Sequence, residues 1–259
     1  MTFGMTRFPF LAVLPFIAAS SAMSQQRPMS ADGWPMHSMD RPQPRVVRPG
    51  AVIAPIAPPS DAIVLFDGTS LAHWRTADSV PAPARWRLVD GAMEVVRGSG
   101  SVQTAQGFGD VQLHVEWRAP TPPSGTGQNR GNSGVFLMGR YEVQVLDSHE
   151  NVTYPDGQAG AIYGQYAPLV NASRPPGEWQ SFDIVFRAPR FGAQGHVLSP
   201  ARMTVIHNGT LVQDNVTLVG PTSNQRRDPY EAHPDRLPIL LQDHGDPVRF
   251  RNIWVRELK

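Results

Sequence analysis

The chain is patterned as a two-residue alternation of apolar and polar side chains, repeated in short runs between turns that contain glycine or proline. In residues 111–118, Val111, Leu113, Val115 and Trp117 alternate with Gln112, His114, Glu116 and Arg118. In residues 141–147, Tyr141, Val143 and Val145 share one parity with Asp147, while Glu142 and Gln144 share the other. Successive side chains of a strand point to opposite faces, so each run predicts a strand with one face in a core and the other polar. Residues 62–66, 182–187, 202–207, 237–245 and 248–256 also read as strands. Asp90-Gly91 and Asn208-Gly209 each sit between two such runs, the signature of a tight hairpin with left-handed backbone at both central residues.

No stretch keeps the period of an amphipathic helix, and no internal repeat is visible. Strands at regular spacing with glycine-rich turns predict an all-β sandwich, one domain over residues 61–259. Residues 148–180 carry no clear period. A segment of that length inside a compact domain is expected to be a functional surface loop.

The N-terminal part reads differently. Residues 1–24 hold a lone positive charge at Arg7, an apolar run over 8–19 and then small residues. That is the form of a secretory signal with cleavage after Ala22 or Ser24, because the apolar run is too short to span a bilayer; a retained N-terminal anchor is the alternative. Residues 25–60 are rich in proline and methionine and are expected to be a tether or a disordered lead-in. With no cysteine in 259 residues, disulfides, thiolate metal sites and thiol nucleophiles are excluded. A net charge of +1 without a basic stripe gives no electrostatic case for nucleic acid. The expectation is an exported bacterial protein, periplasmic or secreted, whose mature chain has no transmembrane segment.

Candidate chemistry lies on the polar parities. Glu116 with Arg118, Glu142 with Gln144, and Gln242 with His244 would converge if their strands share one curved sheet, and sandwich proteins commonly bind carbohydrate on such a face. Arg130, Asn132 and Trp179 lie nearby in sequence. A retaining glycosidase needs two carboxylates about 5–5.5 Å apart. Here Gln144 stands where a central carboxylate is expected, and Glu142 and Asp147 have opposite parity, which argues against displacement hydrolysis. Asp147 and His149 leave a divalent metal as an open alternative, because carboxylate and imidazole suit several such ions. Nothing in the sequence requires a cofactor.

Several stretches resemble the DUF1080 family, identified with 3-keto-disaccharide hydrolases. The likeness runs from Leu65-Phe66-Asp67-Gly68 through Leu71 and Trp74 to Trp86-Arg87-Leu88-Val89-Asp90-Gly91. It continues in Gly131-Asn132-Ser133-Gly134-Val135, Tyr141-Glu142-Val143-Gln144-Val145-Leu146-Asp147 and Pro176-Gly177-Glu178-Trp179-Gln180, and ends in Leu241-Gln242-Asp243-His244-Gly245 with Val248 to Trp254. The resemblance implies a concanavalin A-like jelly roll and an enzyme acting on oxidised glycosides. Its chemistry is proton abstraction at C2, β-elimination at C1 and rehydration, which needs a base, an acid and a stabiliser for the enolate oxygen. On that basis Glu142 and His244 are expected to do the acid–base work. Arg130, Asn132, Gln144, Gln242, Glu116 and Arg118 are expected to hold sugar oxygens, and Tyr163 or Trp179 to stack on the ring. Replacing Glu142 by Gln is expected to abolish turnover with the thermal midpoint nearly unchanged. A non-catalytic carbohydrate-binding module and an ordinary glucanase are the competing readings.

Overall fold

The computed structural model describes residues 1, 2, 4, 27–51 and 55–259. The segment expected to be a signal, 1–24, therefore lies outside the described residues but for three of them. The alternating runs do form strands, and these assemble into two antiparallel sheets packed face to face as a jelly-roll sandwich.

The larger sheet has eight strands. It runs from Thr210–Thr217 through Arg202–His207, Gln180–Arg187 and Val111–Arg118 to Arg249–Glu257, which pairs in turn with Ala92–Glu94 and with Ile63–Phe66; Arg87–Val89 forms the far edge. The smaller sheet runs Trp74–Thr76, Val102–Phe108, Leu237–Leu241, Ser133–Leu137 and Tyr141–Val145. Between the sheets lie the apolar parities: Leu113, Val115, Trp117, Phe182, Phe186 and Phe250 on one side, and Val135, Leu137, Tyr141, Val143 and Val145 on the other. Both predicted hairpin turns adopt left-handed backbone, with φ of 51° and 72° at Asp90-Gly91 and 51° and 78° at Asn208-Gly209.

The register slips between Arg251 and Trp254, with Asn252 at φ 47°. The extra residue turns Trp254 to the outer face of the larger sheet, where it stacks on His114 with centroids 5.0 Å apart.

Tyr141–Val145 is the edge strand of the smaller sheet, and the long segment after it closes that edge. Gln144 N donates to Ala161 O at 3.0 Å, Gly160 N to Gln144 O at 2.9 Å and Tyr163 N to Glu142 O at 3.3 Å. These bonds use backbone groups that an open edge would leave unpaired. The segment is accordingly well buried at Asp156, Gln158, Ala161, Ile162 and Gln165.

Residues 27–51, expected to be a tether, lie along this same segment in the structure. Arg45–Val46 pairs in parallel with Val170–Asn171, Ala31 N donates to Gln165 O at 3.0 Å, and Met36 and His37 are buried. Short peptide-to-loop contacts of this kind leave no periodic trace in sequence.

Candidate active site

All five residues of Tyr141–Val145 are buried, although the alternation predicts a wet outer face. Tyr163 and the loop carrying Thr222, Ser223 and Asn224 cover that face and leave a hollow of about 230 Å³. Six of the residues singled out by sequence meet there: Asn132, Glu142, Gln144, Tyr163, Gln242 and His244. Phe136, Thr222, Ser223 and Asn224 complete the lining.

Glu142 lines this hollow. Its carboxyl rests over Gly134 of the neighbouring strand, where a Cβ would come within 2.4 Å of Glu142 Oε1. A side chain at 134 would take the space that the carboxyl uses. Among the described residues nothing donates a hydrogen bond or a positive charge to this carboxyl. Burial alone therefore governs it, disfavouring the charged form and pushing the pKa from 4.5 up to about 8. Thr222 fixes the strand beneath it: its hydroxyl accepts from Glu142 N at 3.1 Å and donates to Arg140 O at 3.0 Å.

Gln144 and Asn132 form a chain of amides. Asn132 Nδ2 donates to Gln128 O at 2.7 Å and Gln144 Nε2 to Asn132 Oδ1 at 3.0 Å. His244 is exposed at the rim. Its loop is pinned on both sides. Asp243 accepts from Gly100 N at 3.1 Å and Gly245 N at 2.9 Å, and Asp246 accepts from Asn132 N at 2.9 Å. Tyr163 shares a 2.9 Å hydroxyl contact with Tyr154, and burial pushes its phenol above the usual range.

The remaining sequence candidates lie elsewhere. Arg130 Nε stands 2.9 Å from Asp147 Oδ2 as an ion pair, and Arg130 Nη2 donates to the backbone oxygen of His149. Asp147 Oδ1 accepts from His149 N at 3.2 Å. A guanidinium thus faces the carboxylate proposed for a divalent ion. Among the described residues no group of three or more histidine, aspartate and glutamate side chains is placed to hold a metal.

Glu116 and Arg118 belong to the larger sheet and face outward on the opposite side of the sandwich, and Trp179, just before Gln180–Arg187, packs on that face, so the sequence expectation of a single converging face is corrected. Arg251 Nε donates to Glu116 Oε2 at 2.6 Å and Asn252 Nδ2 to Glu116 Oε1 at 2.8 Å. The Trp179 ring has Arg118 at 4.7 Å and Arg251 at 4.0 Å. Next to them His114 Nδ1 lies 2.7 Å from Asp183 Oδ1; burial lowers its pKa, but Asp183 and Glu116 outweigh that and hold it at about 9. Alternation gives the face of a strand but not the sheet the strand joins. Phe136 was within reach of sequence, because the turn after Leu137 sets it opposite Glu142. Thr222, Ser223 and Asn224 sit in an aperiodic polar stretch and had no such signal.

The chain is similar to several known proteins. A 3-keto-disaccharide hydrolase of Bacteroides thetaiotaomicron is 25% identical over 241 residues, covering 76% of this chain and 78% of that protein. A crystal structure from Parabacteroides distasonis, described as a candidate glycosyl hydrolase, superposes with a TM-score of 0.75 at 44% identity over 89% of this chain and 100% of its own. A second Parabacteroides distasonis structure, at 23% identity and a TM-score of 0.54 over 76% of this chain and 99% of its own, shares the fold. Residues 61–256 match the 3-keto-alpha-glucoside-1,2-lyase-like domain, and the chain belongs to that family.

Proposed function

We propose that the protein is an exported enzyme that cleaves 3-keto-glycosides, with Glu142 as the base and His244 as the acid. The observation that carries the reading is the Glu142 carboxyl: buried, without a cationic partner among the described residues, and facing a hollow lined by amides and hydroxyls. A base of raised pKa is a stronger proton acceptor once ionised, and at pH 7 roughly a tenth of it is ionised when the pKa is about 8.

A ketone at C3 acidifies the proton on C2. The Glu142 carboxylate takes that proton, the C–H electron pair moves into the C2–C3 bond, and the carbonyl pair moves onto oxygen as an enolate. The ketone then re-forms, the C2–C3 pair shifts to C1–C2, and the C1–O bond breaks. The departing oxygen keeps that bond's electrons and takes a proton from protonated His244. Water next adds to C1 of the enone, neutral His244 takes the proton from the water, and Glu142 returns its proton to C2. The products are a 3-keto sugar and the free alcohol, and both side chains are back in their starting states. Gln144, Asn132 and Gln242 hold sugar hydroxyls around these steps. His244 at the rim suits a leaving group that departs toward solvent.

Among the described residues Glu142 is the single carboxylate lining the hollow. Displacement hydrolysis requires two, whereas elimination requires one base. The test is incubation with 3-keto-trehalose and with unoxidised trehalose, with and without chelator. Cleavage of the keto sugar alone, lost in Glu142→Gln, is the expected result. Binding without cleavage would make the protein a carbohydrate-binding module instead. Export is checked by N-terminal sequencing of the cell-envelope protein, expected to begin after Ala22 or Ser24.

A further inference from the structure

Tyr163 lines the hollow from the segment that bonds to the outer edge of Tyr141–Val145, and the rings packed on it come from that segment and from residues 27–51. The Tyr154 hydroxyl lies 2.9 Å from that of Tyr163, and the His37 ring stacks on Tyr154 with centroids 4.1 Å apart and planes at 23°. His37 also meets Tyr163 at 5.0 Å. The imidazole is fixed from its backbone, because His37 N donates to the buried Asp156 Oδ2 at 2.9 Å. Arg227 ties the layers together: its Nη2 donates to Met29 O at 2.9 Å and to Gly164 O at 3.0 Å, joining the edge segment to the turn that carries Tyr163. Arg227 belongs to the same loop as Thr222 and Asn224, and Tyr163 O–H reaches Asn224 Oδ1 at 3.4 Å.

We propose that Tyr163 is the hydrogen-bond donor to the enolate oxygen at C3, and that Tyr154 and His37 are the positioning residues that hold it. This assignment rests on the reaction proposed above. It gives Tyr163 a different task from stacking on the sugar ring.

Three observations carry it. First, a fixed hydroxyl is needed near the oxygen that gains charge, and Tyr163 lines the hollow from the edge of Tyr141–Val145 that faces away from Ser133–Leu137 and the Asn132 before it. Second, the hydroxyl pair allows a direction: either hydroxyl can donate, and when Tyr154 O–H donates to Tyr163, the Tyr163 proton turns toward Asn224 Oδ1 on the lining of the hollow, a long 3.4 Å contact that a substrate oxygen can replace. Third, the aromatic layer of His37 and Tyr154 restricts the ring from behind. Burial also raises the phenol pKa, so Tyr163 keeps its proton and stabilises the enolate through a hydrogen bond without transferring it. No proton is added to the balance of the reaction. The C2 proton still resides on Glu142 until rehydration.

Steady-state kinetics on 3-keto-trehalose with Tyr163→Phe, Tyr154→Phe, His37→Ala and His37→Phe tests the proposal, each variant's thermal midpoint being measured alongside. Removing one donor of this kind costs about 100- to 1,000-fold in turnover. Tyr163→Phe is therefore expected to lose kcat by about that factor with KM nearly unchanged. Tyr154→Phe and His37→Ala are expected to lose about tenfold, and His37→Phe, which keeps a stacking ring, to recover most of the loss. Adding Tyr154→Phe to Tyr163→Phe should cost nothing more, because the two act as one unit. Wild-type kcat retained in Tyr163→Phe would overturn the donor, and wild-type kcat retained in Tyr154→Phe would overturn the positioning layer. If Tyr163→Phe does not fold, Tyr154→Phe decides alone. A wild-type protein inactive on the keto sugar would instead remove the reaction itself, so the two failures are told apart by the first measurement.

Discussion

Replacing Glu142 by Gln should raise stability while it abolishes turnover, and the gain should depend on pH. The folded carboxyl has a pKa of about 8 against 4.5 for the free side chain. Between those values the unfolded chain releases a proton that the folded chain keeps. A folded pKa raised in this way favours the fold below 4.5 and loses that advantage as pH rises toward 8. One pKa unit is worth about 1.4 kcal/mol, so the penalty is close to zero at pH 4, about 3 kcal/mol at pH 7 and about 5 kcal/mol above pH 8. Gln keeps the shape without the ionisation. For a domain of this size, 1 kcal/mol moves the thermal midpoint by about 2–4 °C, so the variant should melt on the order of 10 °C higher at pH 7. This replaces the unchanged midpoint expected from sequence, where Glu142 was read as lying on a polar face with no measure of its burial.

The assay is differential scanning fluorimetry or calorimetry of both proteins from pH 4 to 9, paired with turnover of 3-keto-trehalose. The midpoints should coincide at pH 4 and separate progressively up to about pH 8. Wild-type kcat/KM should climb with a base limb near the same pH. A midpoint difference that does not change with pH would mean that the carboxyl is not desolvated in the fold. The argument for Glu142 as a tuned base would then collapse even if the variant were inactive.

Gly134→Ala should displace the Glu142 carboxyl, because the new Cβ would stand 2.4 Å from Oε1 and 2.7 Å from Phe136 Cε2. A shift of about 1 Å at a reacting group costs about a hundredfold in kcat/KM, with overpacking adding about 1–3 kcal/mol of instability, read by kinetics and melting. Glu116→Gln and Trp179→Ala, on the opposite sheet, should leave kcat/KM on 3-keto-trehalose within about twofold, the ordinary scatter of a distant and uncoupled site. Asp183→Asn should destabilise the protein at neutral pH, where His114 is charged and paired. The difference from wild type should shrink as pH rises through about 9, the folded pKa of His114, in a pH series of melts.

The sandwich was legible because its evidence is local. Alternation at 111–118 and 141–145, and the Asp-Gly and Asn-Gly turns, each specify strand faces or hairpins within a few residues. The meeting of Glu142 with Gln144 was legible for the same reason, and that of Gln242 and His244 with Asn132 followed once Leu237–Leu241 paired with Ser133–Leu137. What was not legible was set by long-range pairing. Val111–Arg118 joins the larger sheet, which carries Glu116 and Arg118 to the far side. Asp183 reaches His114 only through the register of Gln180–Arg187 against that strand. His37 lies more than a hundred residues from the tyrosines it stacks on, inside a stretch whose composition alone reads as a tether.

Three glutamates placed on outward strand positions allow an internal comparison. Glu94 is buried, which would raise its pKa, but Arg87 and Arg249 bond to it and bring it below the usual range. Glu116 is buried as well, and His114, Asn252 and Arg251 outweigh that burial in the same direction. Where this fold holds a glutamate for structure, it supplies a cation. Glu142 is as little exposed in the same kind of strand and more deeply set in the protein, and with no such partner among the described residues it moves the opposite way. An unpaired buried carboxyl lowers stability by several kcal/mol at neutral pH, and a purely structural role would remove that cost with glutamine or with an arginine nearby. The position of Gly134 points the same way, because it is the small residue that makes room for the carboxyl. A strong base held apart from cations suits abstraction of a carbon-bound proton. It does not suit a displacement, in which the nucleophile must remain ionised beside a second acid.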